Sequence, residues 1–91
     1  MSDVGVAFEG SLDMESVERV QDMVLTAAAG HSRVVADCTQ LEFIDSTGVR
    51  GLITLKQRLE GEGKTLELMN LKQDIIDILD ILGIKEMLVS N

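Results

Sequence analysis

The chain has 91 residues, with 16 acids against 8 bases and a net charge of −8. That length suits one domain over residues 1–91 with one modest core. Nucleic-acid binding is set aside, because it needs cations for phosphates and often aromatic rings for bases, and the chain has two aromatics, Phe8 and Phe43.

In chain order, Val4, Val6 and Phe8 alternate with Gly5, Ala7 and Glu9, which predicts a half-buried strand. Gly10-Ser11-Leu12-Asp13 reads as a turn, with Asp13 placed to cap the helix that follows. Val17, Val20, Val24, Ala27 and Ala28 mark one helical face, and Gly30 stops that helix. Val34-Val35-Ala36 is a continuous apolar run, as expected of a strand covered on both faces, and Asp37-Cys38-Thr39-Gln40 leaves it.

The segment Phe43-Ile44-Asp45-Ser46-Thr47-Gly48-Val49 leads from an apolar pair through an acid and two hydroxyls into an amphipathic helix from about Thr47 to Glu60. This predicts an exposed serine at the positive end of a helix, where added negative charge is tolerated. Ser46 is also a natural N-cap for that helix. Leu66 and Leu68 then alternate with Thr65, Glu67 and Met69 as a strand. Asn70 to Gln73 resembles a capping box, and Leu71, Ile75, Ile78, Leu79 and Leu82 form the next helical stripe, closed by Gly83. Met87-Leu88-Val89 reads as a last short strand. The alternation predicts an α/β sandwich of about four mainly parallel strands with three helices.

The sole cysteine, Cys38, cannot pair within the chain, which points to a reducing compartment. Met1-Ser2-Asp3-Val4-Gly5 has no cationic segment leading into an apolar stretch, and no apolar run reaches the roughly 18 residues that span a bilayer. The expectation is a cytoplasmic protein without direct membrane insertion. His31 and Cys38 have no neighbours at metal-ligand spacing, and no nucleophile triad or phosphate loop is present, so no metal, cofactor or enzymatic activity is expected.

Val34 to Val49, VVADCTQLEFIDSTGV, resembles the core of a STAS domain (sulphate transporter and anti-sigma factor antagonist). Asp37 matches the family's strand-end acid, and Asp45, Ser46, Thr47 and Gly48 match its loop-helix signature. Gly10-Ser11-Leu12-Asp13 resembles its turn before the first helix, and the Gly61 to Leu68 and Leu79 to Gly83 stretches also fit.

The resemblance implies a STAS-like fold and a phospho-regulated binding module that takes part in transcription regulation by partner switching. In the antagonist branch an anti-sigma factor that is a serine kinase phosphorylates the first serine of the signature. The bare antagonist binds that factor, the phosphorylated form releases it, and a serine phosphatase resets the cycle. By resemblance the phosphorylation falls on Ser46, with Asp45, Thr47, Gly48, Arg50 and Asp13 around it in the partner-facing surface. Arg50 stands where the family commonly has a small residue. The chain also departs by lacking the opening extra strand and the closing helix, which leaves sheet edges open and raises a homodimer as a further expectation. The alternative function is a constitutive STAS-type accessory subunit of a lipid-transport ABC complex, or a stress-complex scaffold.

Overall fold

The computed structural model describes residues 2–83. Three strands and three helices alternate: β1 (Asp3–Leu12), α1 (Val17–Ala28), β2 (Arg33–Ile44), α2 (Ser46–Gly61), β3 (Thr65–Met69) and α3 (Gln73–Ile81). The strands form one parallel sheet in the order β1-β2-β3. This is the predicted α/β alternation with three described strands; the strand expected at Met87–Val89 lies outside the described residues.

The core is aliphatic around one ring, Phe8, which is 2% exposed. Leu12, Val34, Ala36, Cys38, Leu66 and Leu68 face it from the sheet, and Val24, Ala28, Leu52, Leu55, Leu59, Ile75 and Leu79 from the helices. Helices α1 and α2 pack on one another as well as on the sheet. They meet at Gly51, where a Cβ would lie 2.1 Å from Cγ2 of Val17, and the Gln21 side-chain amide donates to the Gly51 carbonyl at 3.0 Å. A glycine inside a helix is unfavourable on propensity alone; here the close packing of two helices compensates.

Among the described residues no element covers the other face of the sheet, which corrects the expectation that β2 is covered on both sides. Val35 is half-buried, and Gly5, Ala7 and Asp37 are exposed. Arg33 sits on this face, pairing with Asp3 at 2.6 Å and also with Glu67. Three apolar residues in a row do not reveal whether the middle one is covered, since that depends on chain elsewhere.

Strand ends also differ from expectation. Gly10 does not open a turn: β1 runs on to Leu12, and Gly10 sits at φ +70° beside a register shift between Gly10 and Ser11. A glycine at positive φ inside a strand has the same sequence appearance as a turn; the extra residue of the shift lies on β2, between Leu41 and Phe43. Likewise Asp37 to Gln40 stay within β2, where Ala7 is opposite Asp37 and Glu9 opposite Gln40. The capping box at Asn70 does not form. The N-cap of α3 is Lys72, without a side-chain cap bond. Asn70 instead adopts φ +61°, and its Nδ2 donates to Asp37 Oδ1 at 3.1 Å. Leu82 also falls off the apolar stripe, being 48% exposed.

Asp37 therefore does not close the end of a buried strand; it ties the middle of β2 to Asn70, the residue that follows β3. Its Oδ1 accepts from the Thr39 hydroxyl at 2.6 Å and the Thr39 amide at 3.0 Å, besides Asn70. Hydrogen bonds from the Thr39 hydroxyl first, then from Asn70 and the Thr39 amide, hold its carboxyl below the usual carboxylate range. A depressed native value means stability is present above the unfolded value of about 4 and is lost as pH falls through the native one. Urea melts between pH 5 and pH 2 are expected to show this loss, and Asp37→Asn should flatten that part of the profile. An unchanged slope in the variant would show that these bonds do not favour the ionised form.

Cys38 is fully buried, and burial, with a smaller push from Asp37, raises its thiol to about 12. It acts as a small apolar side chain and stays protonated.

Candidate functional site at the start of α2

The C-terminal ends of β1 and β2 lie side by side, with Leu12 opposite Ile44. The chain leaves β2 at Ile44 and turns at once into α2. The Asp45 amide donates to the Leu12 carbonyl at 3.2 Å, which ties the turn to the end of β1. Gly48 then packs directly over that carbonyl. A Cβ on Gly48 would lie 2.1 Å from Leu12 O and 2.8 Å from Leu12 C. So Gly48 fits the helix against the sheet.

The cap differs from expectation by one position. Asp45, not Ser46, is the N-cap of α2, with extended backbone at φ −112°. Its Oδ1 accepts from the Gly48 amide at 2.8 Å, and its carbonyl accepts from Val49 at 2.9 Å. Both residues are good caps by type; the Leu12 contact fixes where the helix begins. Ser46 is thereby released from capping. It is the first residue of the 16-residue α2 and is exposed. Among the described residues its hydroxyl and the amides of Ser46 and Thr47 have no hydrogen-bond partner.

Asp45→Ala removes a charge-assisted cap on a half-buried helix start. The expected loss is about 1 kcal/mol, read as a fall of about 4–8 °C in Tm. Asp45→Asn or Asp45→Ser should recover most of it. A variant melting like the parent would mean that the Gly48 amide finds water at no cost.

The β1–α1 turn stands next to this helix start, since Asp13 directly follows Leu12. Asp13 Oδ1 accepts from the amides of Glu15 at 3.0 Å and Ser16 at 3.2 Å. It closes the turn before α1, whose own N-cap, Ser16, makes no side-chain cap bond. Ser16 was not singled out from the sequence, yet it is 7% exposed and stitches the turn. Its hydroxyl donates to the Ser11 carbonyl at 2.7 Å and accepts from the Asp13 amide at 3.0 Å. The D-x-x-S spacing was the available signal.

Asp13, Asp45, Ser46, Thr47 and Gly48 thus gather at one end of the sheet, with Arg50 one helical turn from Ser46. Thr47 is half-buried and Arg50 exposed; Arg50 makes no ion pair among the described residues. Two apolar side chains add to the same end: Met14 in the turn, 74% exposed, and Phe43, 49% exposed, opposite Ser11. The alternation with buried Ile44 was the sequence signal for Phe43. Among the described residues no group of side chains is arranged to hold a metal ion, and no helix is long and apolar enough to cross a membrane.

The fold matches solved structures. The unphosphorylated form of the anti-sigma factor antagonist SpoIIAA aligns with a TM-score of 0.77 and 21% identity, over 99% of this chain and 80% of that one. The Bacillus cell fate determinant SpoIIAA in its phosphorylated form aligns at 0.68 and 21% identity, over 98% and 82%. A sulfate transporter family protein from Wolinella succinogenes gives 0.81 and 17% identity, over 94% and 70%. Identities this low show a shared fold. No match to the sequence was found among curated proteins. Residues 2–90 match the family model described as "Mlab, STAS domain", and with nearly its whole length so matched, the chain belongs to the STAS domain family.

Proposed function

We propose that the protein is a phospho-regulated binding module. In this reading it is an anti-sigma factor antagonist that binds a serine-kinase anti-sigma factor while Ser46 is bare and releases it once Ser46 is phosphorylated. The observation that carries the reading is the exposed, uncommitted hydroxyl of Ser46 on the first residue of α2, beside a cap supplied by Asp45. A kinase can reach such a hydroxyl without unfolding the helix start. The fold shared with both forms of SpoIIAA supports the same reading.

The site suits a switch in which the folded chain changes little. Phosphate on Ser46 gains from the two open first-turn amides and the helix dipole, worth about 0.3–1 kcal/mol. It is opposed by the neighbouring Asp45 carboxylate, which already occupies the Gly48 amide. The two effects oppose one another within the domain. The partner feels the new charge in full.

Arg50, an i to i+4 neighbour of Ser46, is placed to meet the phosphate or, when the serine is bare, a partner carboxylate. If so, Arg50→Ala changes both partner affinity and the rate at which a serine phosphatase removes the group. Unchanged values for both would leave Arg50 a solvated side chain.

Co-expression with the cognate kinase, followed by a phosphate-affinity gel, tests the proposal. A retarded band that disappears with Ser46→Ala supports it. The competing reading is the constitutive accessory subunit. It would show instead as stable co-purification with a transporter ATPase, indifferent to Ser46→Asp and with no retarded band.

A further inference from the structure

Along α2, Ser46, Arg50, Thr54 and Arg58 recur every fourth residue, and all four are exposed. Residues spaced in this way form a ridge inclined to the helix axis. The ridge starts on the outer side of the helix at Ser46 and drifts toward α1. There Thr54 and Arg58 form the α2 wall of a groove between the two helices. Asp22 and Leu25 form the α1 wall, and buried Leu55 lies at the base. The groove measures about 90 Å3. That is well below the roughly 300–1,000 Å3 of a small-molecule site, and it suits one side chain of a protein partner.

The chain carries −8 in all, yet the ridge holds two arginines and no acid. Other cations are already engaged. Arg33, Lys56 and Lys72 are ion-paired, and Lys64 donates to the Ala28 carbonyl at 2.7 Å. Among the described residues neither Arg50 nor Arg58 makes an ion pair. Asp22 shares the groove with Arg58 and is not paired with it. An acidic partner is repelled by most of this chain and attracted at the ridge, which fixes where it lands.

We infer that the ridge and groove dock an acidic segment of the kinase partner, with an apolar side chain seated between Leu25 and Leu55 and carboxylates on Arg58 and Arg50. The inference rests on the Ser46 reading and extends that surface along α2. Arg50 and Arg58 are about 12 Å apart along the axis at 1.5 Å per residue, and carboxylates about two turns apart on a partner helix match that interval. Asp22 repels a carboxylate from the α1 wall and so directs it to the α2 wall. Phosphate on Ser46 lies one turn from Arg50 and draws it away from the partner. Arg58 is about 18 Å from Ser46 along the axis, roughly two Debye lengths at physiological salt. Its contribution therefore adds to the effect of phosphorylation.

Titration calorimetry against the cognate kinase without ATP tests the surface with Ser46 bare throughout. Arg58→Glu should raise Kd at least about tenfold, because like charges then face each other, and Arg58→Gln about threefold. Both effects should shrink between about 0.05 M and about 0.5 M salt. Thr54→Trp fills the groove without changing charge, and its weakening should not shrink with salt. Arg19→Glu is the control. It makes the same charge change beside the groove between α1 and β1, and should leave Kd within about twofold.

Parent-like binding by Arg58→Glu or by Thr54→Trp would overturn the inference and leave the Ser46 reading in place. So would equal weakening by Arg58→Glu and Arg19→Glu, which would show a response to net charge alone. A parent that neither binds the kinase nor gives a retarded band with ATP would remove the Ser46 reading, and this inference with it.

Discussion

Gly48→Ala is expected to be the most destabilising single-methyl change in the chain. The added Cβ would stand 2.1 Å from the Leu12 carbonyl oxygen and 2.8 Å from its carbon. Both are backbone atoms in a strand paired to β2, so neither can rotate aside. Relief requires lifting the start of α2 off the sheet, which would break the Asp45 to Leu12 hydrogen bond and loosen the Asp45 cap. Overpacking costs about 1–3 kcal/mol where side chains can adjust. Here the upper end applies, about 3 kcal/mol, or a drop in Tm on the order of 15 °C. Gly51→Ala meets the Val17 methyl at the same nominal distance. That side chain can change rotamer, so the loss should be smaller. Gly61→Ala has nothing within 4 Å and should be neutral or slightly stabilising. Thermal melts of the three variants would rank them 48, 51, 61 in decreasing damage. Equal melting of Gly48→Ala and Gly61→Ala would contradict the packing at Leu12.

Phosphorylation of Ser46 is expected to weaken partner binding about a hundredfold. The group adds about −1.5 to −2 charges. Two charges about 5 Å from one partner carboxylate, at an effective dielectric of about 40, cost on the order of 3 kcal/mol, which is that factor in affinity. Steric exclusion adds to it, because Ser46 is exposed on the first residue of α2. Titration calorimetry with bare and phosphorylated protein against the kinase would read the ratio. Ser46→Asp, with one charge and a shorter reach, should give a smaller loss. The ratio should shrink in high salt, since the pair is only partly shielded from solvent. A ratio near one would show that the hydroxyl lies outside the contact.

The site was legible in the sequence because its determinants are local. An acid, two hydroxyls and a glycine before an amphipathic run define a helix start, and α2 begins within a residue of the predicted place. The choice of cap was not local. Asp45 and Ser46 are equally suited by type, and the Leu12 carbonyl, 33 positions upstream, decides between them. The same limit explains the strand ends. Gly10 has the composition of a turn and yet lies inside β1 at positive φ, and only the pairing with β2 separates the two. Gly51 passed without notice because a helix-interior glycine looks like a defect until Val17 is seen against it. The open face of the sheet was missed because Val34, Val35 and Ala36 are alike in hydrophobicity and differ in what lies over them.

The most direct test of the Ser46 switch is phosphosite mapping by mass spectrometry on the protein isolated from its own cells across growth and stress. The account predicts a fraction of the chain carrying one phosphate, on Ser46, and rising or falling with the signal. Phosphate on another residue, or a Ser46 peptide that is unmodified under every condition, would contradict it.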